Sequence, residues 1–109
     1  MGQYHKVYNL DKKEMINGHH IDNGLKLMEQ CGHEKSTADA VWLLIANSNG
    51  RGGGDAREHD LIGSWAGHRI IVQGDYADKG DPSFLSDDDL DGYFDISEQV
   101  RQMLNTVFA

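Results

Sequence analysis

The chain has 109 residues, 39% of them hydrophobic, with thirteen glycines, one proline, one cysteine and a formal net charge of −8. That length suits one domain spanning residues 1–109, which buries about 65% of the surface its unfolded chain would expose. A single cysteine, Cys31, excludes an internal disulfide and fits a reducing, cytoplasmic setting.

No basic stretch followed by an apolar one opens the chain, so no secretory signal is expected. The longest apolar run, Ala40–Ala46, is too short to span a bilayer, and no membrane association is expected. Met1-Gly2 opens like a myristoylation signal, but Lys6 stands where that signal needs Ser or Thr. The charge is uneven. Eight aspartates and Lys79 between Asp75 and Asp95 sum to −7, leaving −1 for the rest. Charge concentrated this way points to a cation site or a basic protein partner. It argues against direct nucleic-acid binding, which needs a basic footprint.

In chain order, Gln3–Leu10 is rich in aromatic and branched residues and predicts a strand. Asp11-Lys12-Lys13 is a polar turn, and Glu14–Ile21 predicts the returning strand, bent at Asn17-Gly18. Leu25, Met28 and Cys31 recur at helical spacing with Gly32 suited to the position after the helix, so Leu25–Cys31 predicts a short helix; a short strand is the alternative. Ser36-Thr37-Ala38-Asp39 resembles a capping box before the buried helix Ala40–Ala46. Asn47–Asp55 is a loop, Arg69–Gln73 an interior strand, and Asp75–Asp91 irregular. Val100, Met103, Leu104, Val107 and Phe108 form one apolar face of a closing helix. This order predicts an α+β fold: a small antiparallel sheet with two to three helices packed on one face.

Two segments have ligand-binding composition. Asp87–Glu98 aligns with the EF-hand loop: Asp87, Asp89 and Asp91 at positions one, three and five, Gly92 at six, the Tyr93 carbonyl at seven, Asp95 at nine and Glu98 at twelve. Alternate residues of a tight loop converge on one point, which suits calcium's demand for six to eight hard oxygens. Against calcium, no incoming helix is evident and Phe94 replaces the usual branched aliphatic at position eight. The competing reading is a capping box with Asp95 as N-cap and Glu98 three residues on, the other aspartates being a solvated run.

The second segment is Asn47–Asp55. Four glycines in five positions let backbone N–H groups approach a ligand, and Arg51 suits a phosphate or carboxylate. No Gly-Lys-Ser/Thr ends it, and it follows a helix, so it is neither a P-loop nor a dinucleotide fingerprint. Asn49, Arg51, Gly52, Gly53, Trp65, Asp75, Tyr76 and Asp78 are the candidate ligand-binding residues. Trp65 serves equally as a core anchor, and the glycine loop as a surface connection. His19, His20, His33, His59 and His68 include no His-x-x-x-His pair, and one cysteine cannot build a structural zinc site. Ser64 directly follows Gly63, so Gly63–Gly67 is no nucleophile elbow.

Several segments together resemble a family of small proteins of bacteria and their phages with no assigned activity. They are Met1–Tyr4, Asn9–Glu14, Gly24–Glu29, Asn49–Asp55, Gly63–Gly67, Gly74–Asp78 and Asp95–Glu98, with His5 and Gln73 departing from the pattern. The resemblance implies a bacterial or phage cytosolic setting and carries no activity. Three functional readings follow. The first is a non-enzymatic binding module for a small ligand or protein, monomeric or homodimeric, with calcium structural at Asp87–Glu98. The second is a phage or mobile-element inhibitor whose acidic segment docks on a basic enzyme. The third is a metal-assisted hydrolase using Asp75, Asp78 and a histidine; no catalytic residue is assigned.

Overall fold

The computed structural model describes residues 2–109; Met1 of the Met1-Gly2 opening lies outside the described residues. The elements are β1 (His5–Asn9), β2 (Glu14–Ile16), 3-10 turns at Gly18–Ile21 and Leu27–Gln30, α1 (Thr37–Ile45), β3 (Ile70–Gly74), α2 (Asp87–Leu90), β4 (Phe94–Asp95) and α3 (Ser97–Val107). The fold is α+β. The strands form one sheet in the order β3-β1-β2-β4. β1 pairs antiparallel with β2 and β3, and β4 adds a parallel edge through Glu14↔Phe94 and Met15↔Asp95, so the sheet is mixed.

Opposed residues on neighbouring strands share a face. Register Val7↔Ile16 and Val7↔Val72 puts these three on one face; Tyr8↔Met15 and Tyr8↔Ile71 puts those on the other. The first face carries the core. Val7 and Ile16 pack with Ala40, Leu43 and Leu44 of α1, Val100, Met103 and Leu104 of α3, and Trp65. The apolar stripe read from Val100 onward thus faces inward, although α3 begins at Ser97. Ser36 caps α1 by accepting the Asp39 N–H at 3.0 Å.

Buried polar side chains fix the connections. Asn9 is fully buried; its Oδ1 accepts the Asp11 and Lys12 N–H groups at 3.0 and 2.9 Å, closing the turn between β1 and β2. Asn23 donates to the Ile21 and Lys35 carbonyls and accepts the Thr37 N–H, tying the first 3-10 turn to α1.

Three predicted elements differ from those observed. The interior strand expected over Arg69–Gln73 is β3, at the edge of the sheet, because only β1 pairs with it. The strand expected over Glu14–Ile21 stops at Ile16, because the Asn17 side chain accepts the His19 N–H and starts a 3-10 turn. The helix expected over Leu25–Cys31 is a single 3-10 turn with Leu27 50% and Met28 74% exposed. Its buried residue is Gln30, whose amide donates to the His5 and Leu25 carbonyls. Polar tethering, not an apolar stripe, docks this segment, though Gly32 does take the positive φ of 82° suited to the position after a helical turn.

Candidate functional site

On the sheet face opposite the core, β1 and the residue before it present Tyr4, Lys6 and Tyr8 at alternate positions. β3 ends at Gly74, and the chain then turns back over this face. The Asp75 carboxylate accepts the Tyr4 N–H at 2.9 Å, and Ala77 N–H donates to the Gly74 carbonyl. Gln73 holds the returning chain as a neighbouring strand would: its Nε2 donates to the Leu85 carbonyl at 2.9 Å and its Oε1 accepts the Leu85 N–H at 2.8 Å. α2 follows, capped reciprocally by Ser86 and Asp89. Tyr93 then packs edge-on against Tyr8, ring centroids 5.4 Å apart.

The space between sheet and returning chain is a cleft of about 260 Å³. Tyr4, Tyr8, Leu25, Phe84, Leu85 and Leu90 give it apolar walls; Lys6, Gln73, Asp75 and Asp87 supply polar groups. Burial, and then the neighbouring Tyr93 hydroxyl, push the Tyr8 hydroxyl above the usual phenol range, so Tyr8 stays a neutral donor. All eight aspartates of the 75–95 segment are exposed. Among the described residues only Asp95 has a basic side chain within 4 Å, His20 at 3.2 Å.

The six ligand positions of the EF-hand match, Asp87, Asp89, Asp91, Tyr93, Asp95 and Glu98, are not gathered. Asp87 and Asp89 lie on the helical turn α2, with Asp91 at its end, where a calcium loop would need them to converge. The Asp89 carboxylate accepts the Ser86 N–H, which holds it below the usual carboxylate range. Asp95 sits in β4 and accepts the Ser97 N–H and hydroxyl, so it braces the start of α3. Burial raises the Asp95 carboxyl, but Ser97 and His20 together outweigh that and hold it low. Tyr93 points its ring at Tyr8, and Glu98 is exposed in the first turn of α3. Among the described residues no group of three or more His, Cys, Asp or Glu is placed to hold a metal ion. The capping box read at Asp95–Glu98 is found instead at Ser86–Asp89, because α3 starts one residue later than that reading needs and Ile96 is its N-cap.

The eight candidate ligand-binding residues fall in separate places. In the glycine loop, Asp55 occupies the expected ligand position. Its Oδ2 accepts the N–H groups of Gly50, Arg51 and Gly52 at 2.8, 2.8 and 3.0 Å, and these bonds pull its carboxyl below the usual range. Asn49 closes the same loop through both atoms of its amide to Ala56. Gly53 is exposed, and Arg51 lines a separate open hollow with Glu58 and His59. Trp65 is fully buried, its indole donating to Glu14 Oε1 at 2.7 Å. The Gly63–Trp65 turn is a clamp on α1: Gly63 N–H donates to the Leu43 carbonyl and Trp65 N–H to the Leu44 carbonyl. Gly63 has φ 84°, and a Cβ there would sit 2.8 Å from the Ala46 carbonyl oxygen. Asp75 lines the cleft, while Tyr76 lines a neighbouring trough and Asp78 is engaged with the Gly80 and Asp81 turn.

Nothing in composition marks Tyr4, Lys6, Tyr8, Gln73, Phe84, Leu85 and Leu90 as ligand-binding residues. The alternation Tyr4-x-Lys6-x-Tyr8 was the available signal, since it gives one strand face three long amphipathic side chains. Comparison with protein-family models, with curated proteins and with solved structures gave no match. Among the described residues no helix is long and apolar enough to cross a membrane.

Proposed function

We propose that the protein is a non-enzymatic binding module that receives a cationic side chain of a protein partner in the cleft beneath residues 75–90. What supports this reading is the coincidence of a walled cleft with two exposed carboxylates, Asp75 and Asp87, that make no salt bridge among the described residues and outnumber Lys6, the one cation of the lining. A volume of about 260 Å³ is small for a drug-sized ligand, whose pockets run from roughly 300 to 1,000 Å³. It suits one Lys or Arg side chain. The methylene stem would lie along Tyr4, Tyr8 and Phe84, and the charged head would meet the two carboxylates. The other exposed aspartates would speed encounter by attracting a basic surface. An inhibitor docking on a basic enzyme is the form of this reading that a bacterial or phage setting would favour.

The test is calorimetric titration with an arginine-containing basic peptide, with backbone NMR shifts read in parallel. Binding should weaken as salt rises, perturb Tyr4, Tyr8 and Leu85, and be lost in the double variant Asp75→Asn, Asp87→Asn. Asp88→Asn, which alters an exposed carboxylate outside the cleft lining, should bind almost as well as the unaltered protein. Equal losses in both variants would reduce the effect to general acidity and end the cleft assignment.

A further inference from the structure

His33 stands in the connection between the 3-10 turn Leu27–Gln30 and α1, and its exposed ring reaches both ways along the chain. Nε2 lies 3.1 Å from the Glu29 carbonyl oxygen, back in the turn, and Nδ1 lies 3.1 Å from the Glu34 carbonyl oxygen, on the way into the helix. A carbonyl oxygen can only accept. A neutral imidazole carries one N–H and one lone pair, so it serves one of these carbonyls and turns its lone pair on the other. The imidazolium, with two N–H donors, satisfies both. The two contacts therefore fix the charge of the ring as well as its place.

The surroundings favour that charge. The Glu29 carbonyl and then the Glu34 carbonyl push His33 above the ordinary histidine range, against a smaller pull from desolvation, and Asp39 of α1 adds to the push. His33 also borders a hollow of about 240 Å³, shared with Asp22 of the first 3-10 turn, Arg101 of α3, and Glu34 and Lys35 of the connection itself. Asp22 and Arg101 hold each other at 3.4 Å, Lys35 Nζ donates to the Asn105 side chain at 3.3 Å, and the Glu29 carboxylate accepts the Lys26 N–H. Glu34 and Asp39 make no salt bridge among the described residues, so two carboxylates are left to favour the His33 cation. The connection also needs holding. Gly32 and Lys35 have positive φ, 82° and 61°, and for Lys35 that is a conformation side chains rarely adopt.

We propose that His33 is a proton-operated latch. Charged, it clamps the turn Leu27–Gln30 to the segment entering α1. Neutral, it gives up one carbonyl, and the Cys31–Lys35 connection loosens. The other anchor of the turn, Gln30 on the His5 and Leu25 carbonyls, carries no titrating group, so the turn itself stays docked. Cys31 walls an apolar hollow of about 180 Å³ together with Met28, Ala38 and Val41, and the latch therefore governs how firmly one side of that hollow is held. The sign follows from the contacts. The folded chain holds the His33 proton more tightly than the unfolded chain does. The latch is fully closed below the ordinary histidine range and opens as pH rises through the higher, folded value. This proposal does not depend on the cleft reading.

Ring-nitrogen NMR of the full chain across the histidine range, with amide hydrogen exchange read as protection factors, tests it. Both His33 ring nitrogens should be protonated on the acid side, with a midpoint above about 6.5. Protection of the amides of residues 31–35 should be lost at that same midpoint, while the amides of α3 keep theirs. His33→Ala, which alters an exposed side chain, should fold and lack protection at residues 31–35 at every pH. Should it fail to fold, the titration of the unaltered protein decides alone. A midpoint at or below the ordinary histidine value overturns the proposal, as does protection at residues 31–35 that ignores the His33 midpoint. Protection that survives in a folded His33→Ala variant overturns it equally.

Discussion

The glycine loop and the aspartate segment are both irregular, polar and rich in ligand-competent groups, yet they use those groups in opposite ways. The glycine loop closes on itself: Asp55 fills the ring of amides at Gly50, Arg51 and Gly52, and Asn49 ties the ends. The aspartate segment leaves its charges outward, with one histidine contact for eight carboxylates among the described residues. A run of glycines signals that main-chain groups can converge, not that they wait for a ligand. What decides is whether an internal acceptor is within reach, and Asp55 is. Asp-rich spacing likewise signals a cation site only if the backbone curls into a loop, and Ser86 with Asp89 makes it coil into a helical turn instead.

The largest effect should come from removing what the glycine-loop half rests on. Trp65 is fully buried, hydrogen-bonded to Glu14, and clamps the end of α1. Trp65→Ala should cost about 3–5 kcal/mol in urea unfolding. A loss below ~1 kcal/mol would mean the clamp is not part of the core. The matching experiment on the acidic half is smaller. Gln73→Ala strips the Leu85 N–H and carbonyl of their partner and should cost about 1–3 kcal/mol. Because Leu85 and Phe84 wall the cleft, the same variant should shift the Tyr8 and Tyr93 ring resonances and weaken binding of the basic peptide. Stability lost with the ring resonances unmoved would separate the acidic segment from the cleft.

The sequence was most readable where side-chain period coincides with burial. β1 and β3 lie within two residues of the runs Gln3–Leu10 and Arg69–Gln73, though β3 is an edge strand and not an interior one, and α3 buries Val100, Met103 and Leu104. It was least readable where polar side chains do the holding. Gln30 and Asn23 are buried because they satisfy carbonyls and amides distant in sequence, and no periodicity marks such a residue. The cleft was hidden for a related reason: its two walls are brought together by Gln73 reaching Leu85. Asp75 and Asp87 are the cleft residues that composition marks, Asp87 as a calcium ligand, and their neighbours come from β1, β3 and the returning chain.

The smallest effect on stability should be the sharpest on the comparison. Asp55 is exposed, so Asp55→Ala should leave the global unfolding midpoint nearly unchanged. It should nonetheless release the three amides it holds. If those amides form an anion cradle occupied from within, the emptied loop should respond to inorganic phosphate, with shifts confined to residues 50–52 and absent from the unaltered protein. A pH titration makes the same point without a substitution. Hydrogen bonds from Arg51, Gly52 and Gly50 hold the folded Asp55 pKa below its unfolded value. The loop's closure should therefore be complete above the ordinary aspartate range and lost as pH falls through the lower, folded value. Amide shifts at 50–52 should follow that depressed midpoint. A midpoint in the ordinary range, or a variant indifferent to phosphate, would show that the cradle is a turn held by its glycines alone, and the contrast between the two segments would lose its physical basis.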